Sequence, residues 1–401
     1  MTTTITNEHK KLNVPNLRFP EFQGEWEVES IKDVADFMGG GTPSSSNESF
    51  WQGTIPWISS SDIVENDIKN ISISRYITEE AIAHSATKLC PAPSILIVSR
   101  VGVGKIALSK EAICTSQDFC NLINIKVEPI FLTYCLSQIM KRKSMEVQGT
   151  SIKGITTSEI QKISINIPSL QEQKKIGKIL SLLDERIATQ NKIIEDLKKL
   201  KSAIIDYVIN SLNTDFAKFG SLYEMAGEGG TPTTSNASFY DNGKIPFIKI
   251  DDLKKKYLTE NKDFITELGL QKSSAWLVPT HSILFSNGAT IGEISITTYP
   301  VCTKQGILGI VPKQNIDVEY LYYFMSSSYF KKAVSRIVTE GTMKTAYLKD
   351  INNTLCPIPT KKEQQEIAKI PSALNSKIDT EKSILNLLIT QKQHLLHQMF
   401  I

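Results

Sequence analysis

One segment of this chain occurs twice. Residues 40–47, with the sequence Gly-Gly-Thr-Pro-Ser-Ser-Ser-Asn, return at residues 229–236 as Gly-Gly-Thr-Pro-Thr-Thr-Ser-Asn. In both copies a run of Ile, Pro, an aromatic residue and Ile follows, at residues 55–58 and 245–248. A repeat that long indicates two similar modules rather than the many short repeats of a solenoid. Each candidate motif can therefore be tested by asking whether the second copy keeps it.

The correspondence extends over most of the chain. The shift between the copies grows only from 188 at Ser94 and Ser282 to 192 at Gly149 and Gly341, so insertions are small. Further matched pairs are Gly104 and Gly292, Cys114 and Cys302, Gln117 and Gln305, Pro168 and Pro359, and Gln173 and Gln364. The pattern predicts a duplicated pair of domains.

Length and composition limit the class of protein. A chain of 401 residues with a mean hydropathy of -0.14 is expected to form two or three domains. It has no apolar run of about 18 residues and no N-terminal signal pattern, so we expect a cytoplasmic protein without a membrane segment. The six cysteines include no C-x-x-C pair, which indicates reduced, buried thiols. The net charge of +3 is compatible with DNA contact but does not argue for it alone.

Each copy has two parts. The first mixes short β-type runs with turn residues, and residues 94–98 and 294–298 are predicted strands. Residues 131–143 and 320–338 are predicted helices, so each module is expected to be α+β. The second part is a single long helix in each copy.

Apolar residues in the two long helices follow the same 3-4 spacing, which is typical of a coiled coil. The first helix carries this seam at positions 176, 180, 183, 187, 194, 197, 204 and 208, and the second at positions 367, 374, 378, 385, 388, 395 and 399. Gln190 and Lys201 interrupt the first seam, and Glu381 and Lys392 interrupt the second at the equivalent steps. The simplest burial is against the other helix of the same chain; the alternative is that each helix packs on its own module.

Pro371 stands where the first copy has Leu180. Because proline lacks a backbone donor and clashes with the preceding turn, it should kink the second helix. Alternatively, Pro371 marks the start of that helix, with residues 367–370 in a separate turn.

Two apparent catalytic motifs fail the test of the second copy. Residues 37–41 superficially match the F-x-G-x-G loop of a methyltransferase, but Thr-Pro and a serine cluster follow in place of a helix, and the second copy lacks the aromatic residue. The P-loop-like glycines around Gly104 are followed by Lys105, which Glu293 replaces in the second copy, where it would repel phosphate. The shared Asp62 and Asp252 are predicted to be loop or cap residues.

The polar loops are the candidate site. Short donor and acceptor side chains suit phosphate and base-edge contacts, although for any single residue turn capping is the simpler explanation. Gln117 and Gln305 could contact adenine bidentately or could be buried structural amides. Basic residues near the other paired loops add to the set. The DNA-binding candidates are Ser44, Ser45, Ser46, Asn47, Ser59, Ser60, Ser61, Arg100, Lys105, Gln117, Lys153, Thr233, Thr234, Ser235, Asn236, Lys249, Asp251, Asn287, Lys304, Gln305 and Lys344.

The ordered, duplicated set of motifs resembles the specificity subunit of type I restriction-modification systems over nearly the whole chain. The residues that carry this resemblance are 17–22 with Trp26, both Gly-Thr-Pro loops, both Ile-Pro-aromatic-Ile runs, and the two helix openings of the form Ile-Pro-x-x-x-Glu-Gln at residues 167–173 and 358–364. Pro371 departs from the first copy.

The resemblance implies a non-catalytic subunit. Two target recognition domains, at residues 1–165 and 214–357, would each recognise one half of a split site in double-stranded DNA. Spacer helices at residues 166–213 and 358–401 would form an antiparallel coiled coil. The chain would bind no cofactor itself. It would recruit two methyltransferase subunits, which use S-adenosylmethionine, and restriction subunits, which use ATP and Mg, and it would not contact a membrane.

Differences between the copies bear on specificity. Ser59, Ser60 and Ser61 correspond to Lys249, Ile250 and Asp251, and Arg100 corresponds to Gly288. We therefore expect an asymmetric target, with specificity concentrated around these positions. Two other classes remain open: a stand-alone or architectural DNA-binding protein, which would bind tightly without a partner, and a coiled-coil scaffold that binds no nucleic acid.

Overall fold

The structure is a computed structural model and describes residues 12–148, 154–288, 290–338 and 344–401. The chain divides into two compact units. Unit 1 comprises Met1–Gln190 with Leu385–Ile401, and unit 2 comprises Asn191–Ile384. Each unit therefore contains one globular module and a part of both long helices.

Unit 1 combines short strands with helices, as predicted. Its strands are β1 (Glu27–Ser30), β2 (Asp36–Gly39), β3 (Ile55–Ile58), β4 (Arg75–Ile77), β5 (Leu89–Cys90), β6 (Ser94–Val98), β7 (Ile106–Ser109), β8 (Ile113–Thr115), β9 (Phe119–Ile123) and β10 (Ser164–Ile167). Its helices are α1 (Ile31–Val34), α2 (Glu79–Ala83), α3 (Pro129–Gln148), α4 (Thr157–Gln161) and the first part of α5 (Leu170–Ser211).

The strands of unit 1 form two main sheets. One has the order β2-β9-β6-β7 and is antiparallel; the other has the order β4-β3-β8-β5, in which β3 and β8 are parallel. All five residues of β6 are buried, because its alternate side chains enter two different cores. Ile95 and Ile97 face the core shared with α3, whereas Leu96 and Val98 face Ile58 and Ile113 of the second sheet.

Unit 2 repeats this plan. Its strands are β11 (Phe216–Lys218), β12 (Tyr223–Glu228), β13 (Ile245–Ile248), β14 (Tyr257–Leu258), β15 (Asp263–Ile265), β16 (Ile283–Ser286), β17 (Ile294–Thr297), β18 (Cys302–Thr303), β19 (Ile307–Pro312) and β20 (Leu355–Pro357). Its helices are the rest of α5, α6 (Glu267–Gln271), α7 (Val318–Ser326), α8 (Ser328–Ile337), α9 (Leu348–Ile351) and most of α10 (Lys361–Gln398). The sheets have the orders β12-β19-β16-β17-β14 and β15-β13-β18. The α+β prediction is confirmed for both copies.

The two long helices run antiparallel within each unit. In unit 1, Ile176 and Leu180 of α5 share a core with Leu396 of α10 and with Met399, which directly follows that helix. In unit 2, Ile205 and Ile209 of α5 share a core with Ala368 of α10. In unit 1 the start of α5 therefore meets the end of α10, and in unit 2 the end of α5 meets the start of α10. The same cores contain module residues, so the two predicted modes of burial occur together.

Polar residues that interrupt the seam make contacts inside it. Lys392 Nζ lies 2.6 Å from Asp184 Oδ1 in unit 1, and Tyr134 donates to Asp184 Oδ2 at 2.6 Å. In unit 2 the equivalent lysine, Lys201, donates to Asn375 Oδ1 at 3.0 Å. Buried polar groups cost little when hydrogen bonded, so these interruptions are compatible with a closed helix pair.

Pro371 lies inside α10, which is continuous from Lys361 to Gln398. The alternative in which Pro371 marks the start of the helix is therefore wrong. The helix begins ten residues earlier, where Thr360 and Glu363 form a capping box: Thr360 N and Oγ1 donate to Glu363 Oε2 at 2.8 and 2.7 Å. Pro371 and Ala368 are both buried, and Ala368 belongs to the core of unit 2, so this stretch of α10 packs inside that unit.

The repeated Glu-Gln at each helix opening has a structural cause. Gln173 Oε1 accepts from Glu128 N at 2.9 Å, and Gln173 Nε2 donates to Pro168 O at 2.8 Å. Gln364 repeats both bonds, with Asp317 N at 2.7 Å and Pro359 O at 2.8 Å. One buried amide thus fixes the start of the long helix to the loop that precedes the module helix α3 or α7.

The N-terminal segment packs on the start of α5 in unit 1. Arg18 pairs bidentately with Glu172, whose side chain is 1% exposed, with both N–O distances at 2.8 Å. Lys175 lies 4.3 Å from the centre of the Phe19 ring, and Leu17 N donates to Gln398 O at 2.9 Å. The segment around Arg18 therefore joins the start of one long helix to the end of the other.

A lysine from each module also contacts a long helix of its own unit. Lys69 Nζ donates to Ser181 O and Glu185 Oε1, both at 2.9 Å. In unit 2, the side chain of Lys256 is 2% exposed. Its Nζ contacts Ser372 Oγ, Tyr323 Oη and Glu319 Oε2 at 2.8 to 2.9 Å. Ser181 and Ser372 are equivalent positions, so both modules are fixed at the same step of the helix repeat.

Candidate nucleic-acid interface

The repeated Gly-Gly pair allows the polar loop to lie directly against a sheet. A Cβ atom at Gly40 would lie 2.0 Å from Ser116 O, and one at Gly229 would lie 2.2 Å from Thr303 O. Gly41 and Gly230 are equally close to backbone atoms of Ala86 and Ala275. No side chain fits at these positions, so the glycines serve the scaffold in both copies.

Asparagine caps a 3₁₀ turn in each loop. Asn47 Oδ1 accepts from Ser49 N at 3.2 Å and from Ser49 Oγ at 2.8 Å, and Asn236 Oδ1 makes the same two contacts with Ser238 at the same distances. The turn-capping interpretation therefore holds for the oxygen atoms of both side chains. The neighbouring hydroxyl side chains are exposed, namely Ser44, Ser45, Ser46, Thr233, Thr234 and Ser235.

Aromatic residues that follow the loops hold them in place. Trp57 Nε1 donates to Gly41 O at 2.9 Å, and Trp51 Nε1 donates to Ser44 O at 3.1 Å. In unit 2, Tyr240 Oη donates to Pro232 O at 2.5 Å. Each hydroxyl-rich loop is thus presented on a fixed backbone, which lowers the conformational entropy lost when it binds a ligand.

The strand ends beyond the Ile-Pro-aromatic-Ile runs carry different charges in the two units. In unit 1, Ser59 N donates to Asp62 Oδ2 at 2.7 Å, and Arg75 bonds Ser59 Oγ at 2.7 Å and also pairs with Asp62. The Arg75 guanidinium lies 4.6 Å from the centre of the Trp57 ring. Arg75 is therefore fixed from two sides, with its charge displayed beside Ser59.

In unit 2 the equivalent positions carry different charges. Lys249 replaces Ser59 as the cap residue, and its N–H donates to Asp252 Oδ2 at 2.9 Å. Its Nζ pairs with Asp263 at 2.8 Å. Asp263 pairs with Phe247 across the sheet just as Arg75 pairs with Trp57, so Arg75 and Asp263 are equivalent. The prediction that Asp62 and Asp252 are cap residues is confirmed.

Sequence reasoning missed Arg75 and Asp263. A signal was present, because they differ by the shift of 188 found at Ser94 and Ser282 and carry opposite charges. Their contact with Ser59 and Lys249 depends on strand pairing between β3 and β4 and between β13 and β15, which the sequence alone does not reveal.

The paired glutamines are exposed in both units, which is against the interpretation as buried amides. Gln117 accepts a hydrogen bond from Thr42 Oγ1, and Gln305 N donates to Thr231 Oγ1 at 3.3 Å. Both glutamines therefore lie beside the threonine of the Gly-Thr-Pro loop, and the structure brings these two candidate elements together.

The remaining candidates are dispersed. Lys105 Nζ donates to Ser60 O at 3.1 Å and so joins the Ser59 region. Ser60 is partly exposed; the exposed candidates here are Ser61, Arg100, Asp251, Lys304 and Lys344. Lys153 lies outside the described residues. Asn287 is 1% exposed and donates to Ala346 O at 3.2 Å, so its amide is an interior group and the structure corrects its assignment to the DNA-binding set.

The cysteines do not supply a reactive thiol. All six are buried and unbonded to one another, as predicted. Burial raises the pKa of Cys90 and of Cys302 to about 11, so both thiols stay protonated at neutral pH. Within the described residues, no group of three His, Cys, Asp or Glu side chains is placed to hold a metal ion. No described helix is long and apolar enough to cross a bilayer.

The sequence matches the type I restriction modification DNA specificity domain twice, over residues 23–199 and 213–389. It is 28% identical to the specificity subunit of the type I restriction enzyme MjaIX from Methanocaldococcus jannaschii, over 90% of this chain and 89% of that protein. It is 34% identical to the EcoR124I/EcoR124II specificity subunit from Escherichia coli, over 50% of each chain.

Solved structures agree on the fold. The S subunit of the type I restriction-modification system from M. genitalium superposes with a TM-score of 0.58 at 18% identity, covering 97% of this chain and 99% of the other. A chain from a structural study of assembly and conformational transition in a type I system gives a TM-score of 0.60 at 17% identity, covering 92% and 96%. With two matched domains spanning most of its length, this chain belongs to the type I restriction-modification specificity subunits, the family that provides sequence specificity for DNA.

Proposed function

We propose that this chain recognises a split, asymmetric DNA target, with one half-site contacted by each unit. The observation that carries the proposal is the exchange of chemistry on a shared scaffold. Ser59 and Arg75 in unit 1 occupy the positions of Lys249 and Asp263 in unit 2. Equivalent strand ends that present different hydrogen-bond donors and acceptors favour different base pairs.

The two arrangements differ in the contacts they offer. Arg75 is planar, is held by Asp62 and Trp57, and can donate two parallel hydrogen bonds to a guanine edge. Lys249 offers a single cationic point, and Asp263 beside it can accept from a cytosine amino group. The hydroxyl-rich loops and exposed Arg100, Lys304 and Lys344 suit phosphate contacts that position the duplex.

Methylome sequencing of cells that carry the assembled system tests this proposal. The expected result is a methylated motif made of two different half-sites separated by unspecified bases. A palindromic or uninterrupted motif would contradict it.

We further propose that the chain acts by recruitment. Subunits of this family are generally non-catalytic, so adenine methylation with S-adenosylmethionine and ATP- and Mg-dependent cleavage belong to partner subunits. Two methyltransferase subunits and the restriction subunits would assemble on this chain. In unit 2, the outer face of α5 carries apolar side chains at heptad intervals: Ile193, Leu200 and Tyr207 are 40%, 48% and 75% exposed. A methyltransferase helix packed along this stripe would bury it.

A paired experiment separates this proposal from a stand-alone DNA-binding protein. Leu200→Lys combined with Tyr207→Lys should leave the chain folded but prevent copurification with the methyltransferase subunit. Asn191→Asp, on the opposite face of the same helix, is the matched control and should have no effect. Gel shifts should show high-affinity DNA binding only when the methyltransferase is present. Tight binding by the purified chain alone would support the stand-alone alternative.

A further inference from the structure

Unit 2 contains a cleft of about 230 Å³ between α5, the loop after Leu253, the turn at Gly292 and α7. Four lysines line it, namely Lys201, Lys254, Lys255 and Lys331, against one acidic residue, Glu293. Lys255 is offset by an ion pair with Glu260 at 2.8 Å. Among the described residues, no carboxylate lies within ion-pair distance of Lys254 or Lys331. The cleft therefore carries an excess of positive charge.

The equivalent space in unit 1 is occupied by the chain itself. Asp62 and Asp252 occupy equivalent positions. Ile68 and Lys256 are equivalent too, because the Ile68 carbonyl accepts from Leu108 N and the Lys256 carbonyl accepts from Ile296 N. The loop between these points is two residues longer in unit 1. In that loop, Asn66 O accepts from Lys392 Nζ at 3.3 Å, and Asn66 Oδ1 accepts from Lys141 Nζ at 3.5 Å.

The loop of unit 2 is shorter, so it does not fill the space beside the counterpart of Lys392. That counterpart is Lys201, which lines the cleft. A second comparison agrees: a Cβ atom at Gly104 in unit 1 would lie 2.9 Å from Ser144 Cβ, whereas one at the equivalent Gly292 would meet no atom within 4 Å. Unit 1 thus fills the site with oxygen acceptors of its own, whereas unit 2 leaves the space open, and Lys201 donates there to the neutral amide oxygen of Asn375.

The partly buried ammonium group of Lys201 makes an anion favourable here. Burial lowers the pKa of Lys201, Asp379 opposes this shift, and Lys382, Lys256 and Lys198 add to it. A bound anion would offset this repulsion among the ammonium groups. The hydroxyl of Ser202 also lines the cleft and could donate to an oxygen atom, whereas Ser326 Oγ already donates to Tyr322 O at 2.7 Å.

We propose that this cleft in unit 2, lined by Lys201, Lys254 and Lys331, is a phosphate-binding site. The cleft is large enough for one tetrahedral phosphate group with water. Two sources share that chemistry: a backbone phosphate of DNA, which would deepen the proposed function, and a free phosphate ion. The site itself stands on the geometry of unit 2 and does not require the proposed function to be correct.

Titration of the full-length chain with inorganic phosphate, by calorimetry at constant ionic strength, tests the site without DNA or partner subunits. Saturable binding is expected for the unmodified chain. Lys254→Gln combined with Lys331→Gln should weaken it about tenfold or more, because charge-assisted hydrogen bonds are lost. Lys272→Gln combined with Lys313→Gln removes the same charge from exposed positions outside the cleft and should bind phosphate normally.

The source is resolved with the assembled methyltransferase complex. If the ligand is a DNA phosphate, the cleft variant should lower the slope of log K against log salt by about two, and added phosphate should compete. If it is free phosphate, DNA binding should be unchanged. The proposal is overturned if phosphate gives no saturable heat, or if the cleft variant and the control variant bind it equally. Failure of the proposed DNA function would leave this first measurement unaffected.

Discussion

Lys392 and Asp184 form an ion pair inside unit 1 at the step where unit 2 has Lys201 and Asn375. Both partners in unit 1 are about seven-eighths buried, at 13% and 14% exposure. Tyr134 also donates to Asp184, and burial raises the pKa of that phenol, so it stays a donor. The same frame therefore accepts either a carboxylate or an amide opposite the lysine.

Asp184→Ala should destabilise unit 1 by about 3 kcal/mol, because it leaves the Lys392 charge buried without its partner. Asp184→Asn should cost clearly less, since it reproduces the Lys201 and Asn375 pairing of unit 2. Chemical denaturation followed by tryptophan fluorescence measures both. Equal losses for the two variants would show that shape, rather than the charge pair, determines stability at this step.

Gln173→Ala and Gln364→Ala should have matching effects. Gln173→Ala removes two side-chain hydrogen bonds and Gln364→Ala removes three, one of them long at 3.3 Å, and each leaves a buried backbone N–H unsatisfied, at a cost of about 1–3 kcal/mol. Thermal unfolding measures the losses, with exposed Lys174→Ala and Lys362→Ala as neighbouring controls. A loss confined to one copy would mean that the junctions are not equivalent.

Acid should weaken unit 2 through Glu319. Burial raises the pKa of this carboxyl, but hydrogen bonds from Lys256, Ser372 and Tyr257 outweigh burial and hold it below its ordinary value. The stabilisation is present above the unfolded pKa of about 4.3 and is lost as pH falls through the lower folded pKa. Glu319→Gln should flatten this part of the profile of unfolding free energy against pH. Exposed Glu224→Gln serves as the control, and an unchanged slope in Glu319→Gln would exclude this group as the cause.

Exchange of the charge pattern should alter one half-site only. Ser59→Lys combined with Arg75→Asp gives unit 1 the polar arrangement that unit 2 has at Lys249 and Asp263. If these positions contact bases, methylome sequencing should show a change in one half of the motif with the other half intact. A changed second half, or no change with full methylation, would place specificity elsewhere.

The helices should set the distance between half-sites. Insertion of one helical turn, about four residues and 6 Å, after Gln190 together with a matched insertion after Ile384 keeps the two helices in register. The gap in the methylated motif should lengthen by about two base pairs while both half-sites persist. An unchanged gap would refute a spacer role.

Local patterns predicted much of this fold. The apolar spacing identified both long helices, and the β-branched run at residues 94–98 coincides with β6. The single helix expected over residues 320–338 is two, because Ser327 Oγ accepts from Phe330 N at 3.2 Å and caps a new start. A run of three serines there was the available signal.

The candidate site was less predictable, because its contacts join distant parts of the sequence. Ser59 and Lys249 stand out as differences between the copies, but Arg75 and Asp263 reach them only across paired strands. Burial of Asn287 likewise depends on Ala346, which is remote in sequence. Periodicity indicates which residues face a core, whereas the chemistry of a loop depends on what the fold places beside it.

The buried glutamines at the two helix openings have a consequence for how such chains diversify. Within the part of the chain that the structure describes, the side-chain amides of Gln173 and Gln364 bond only to backbone groups of their own module and of the proline that precedes the helix. Backbone groups are the same whatever side chains a module carries. Genetic recombination at these openings could therefore exchange one module for another of different specificity and still regenerate the same joint.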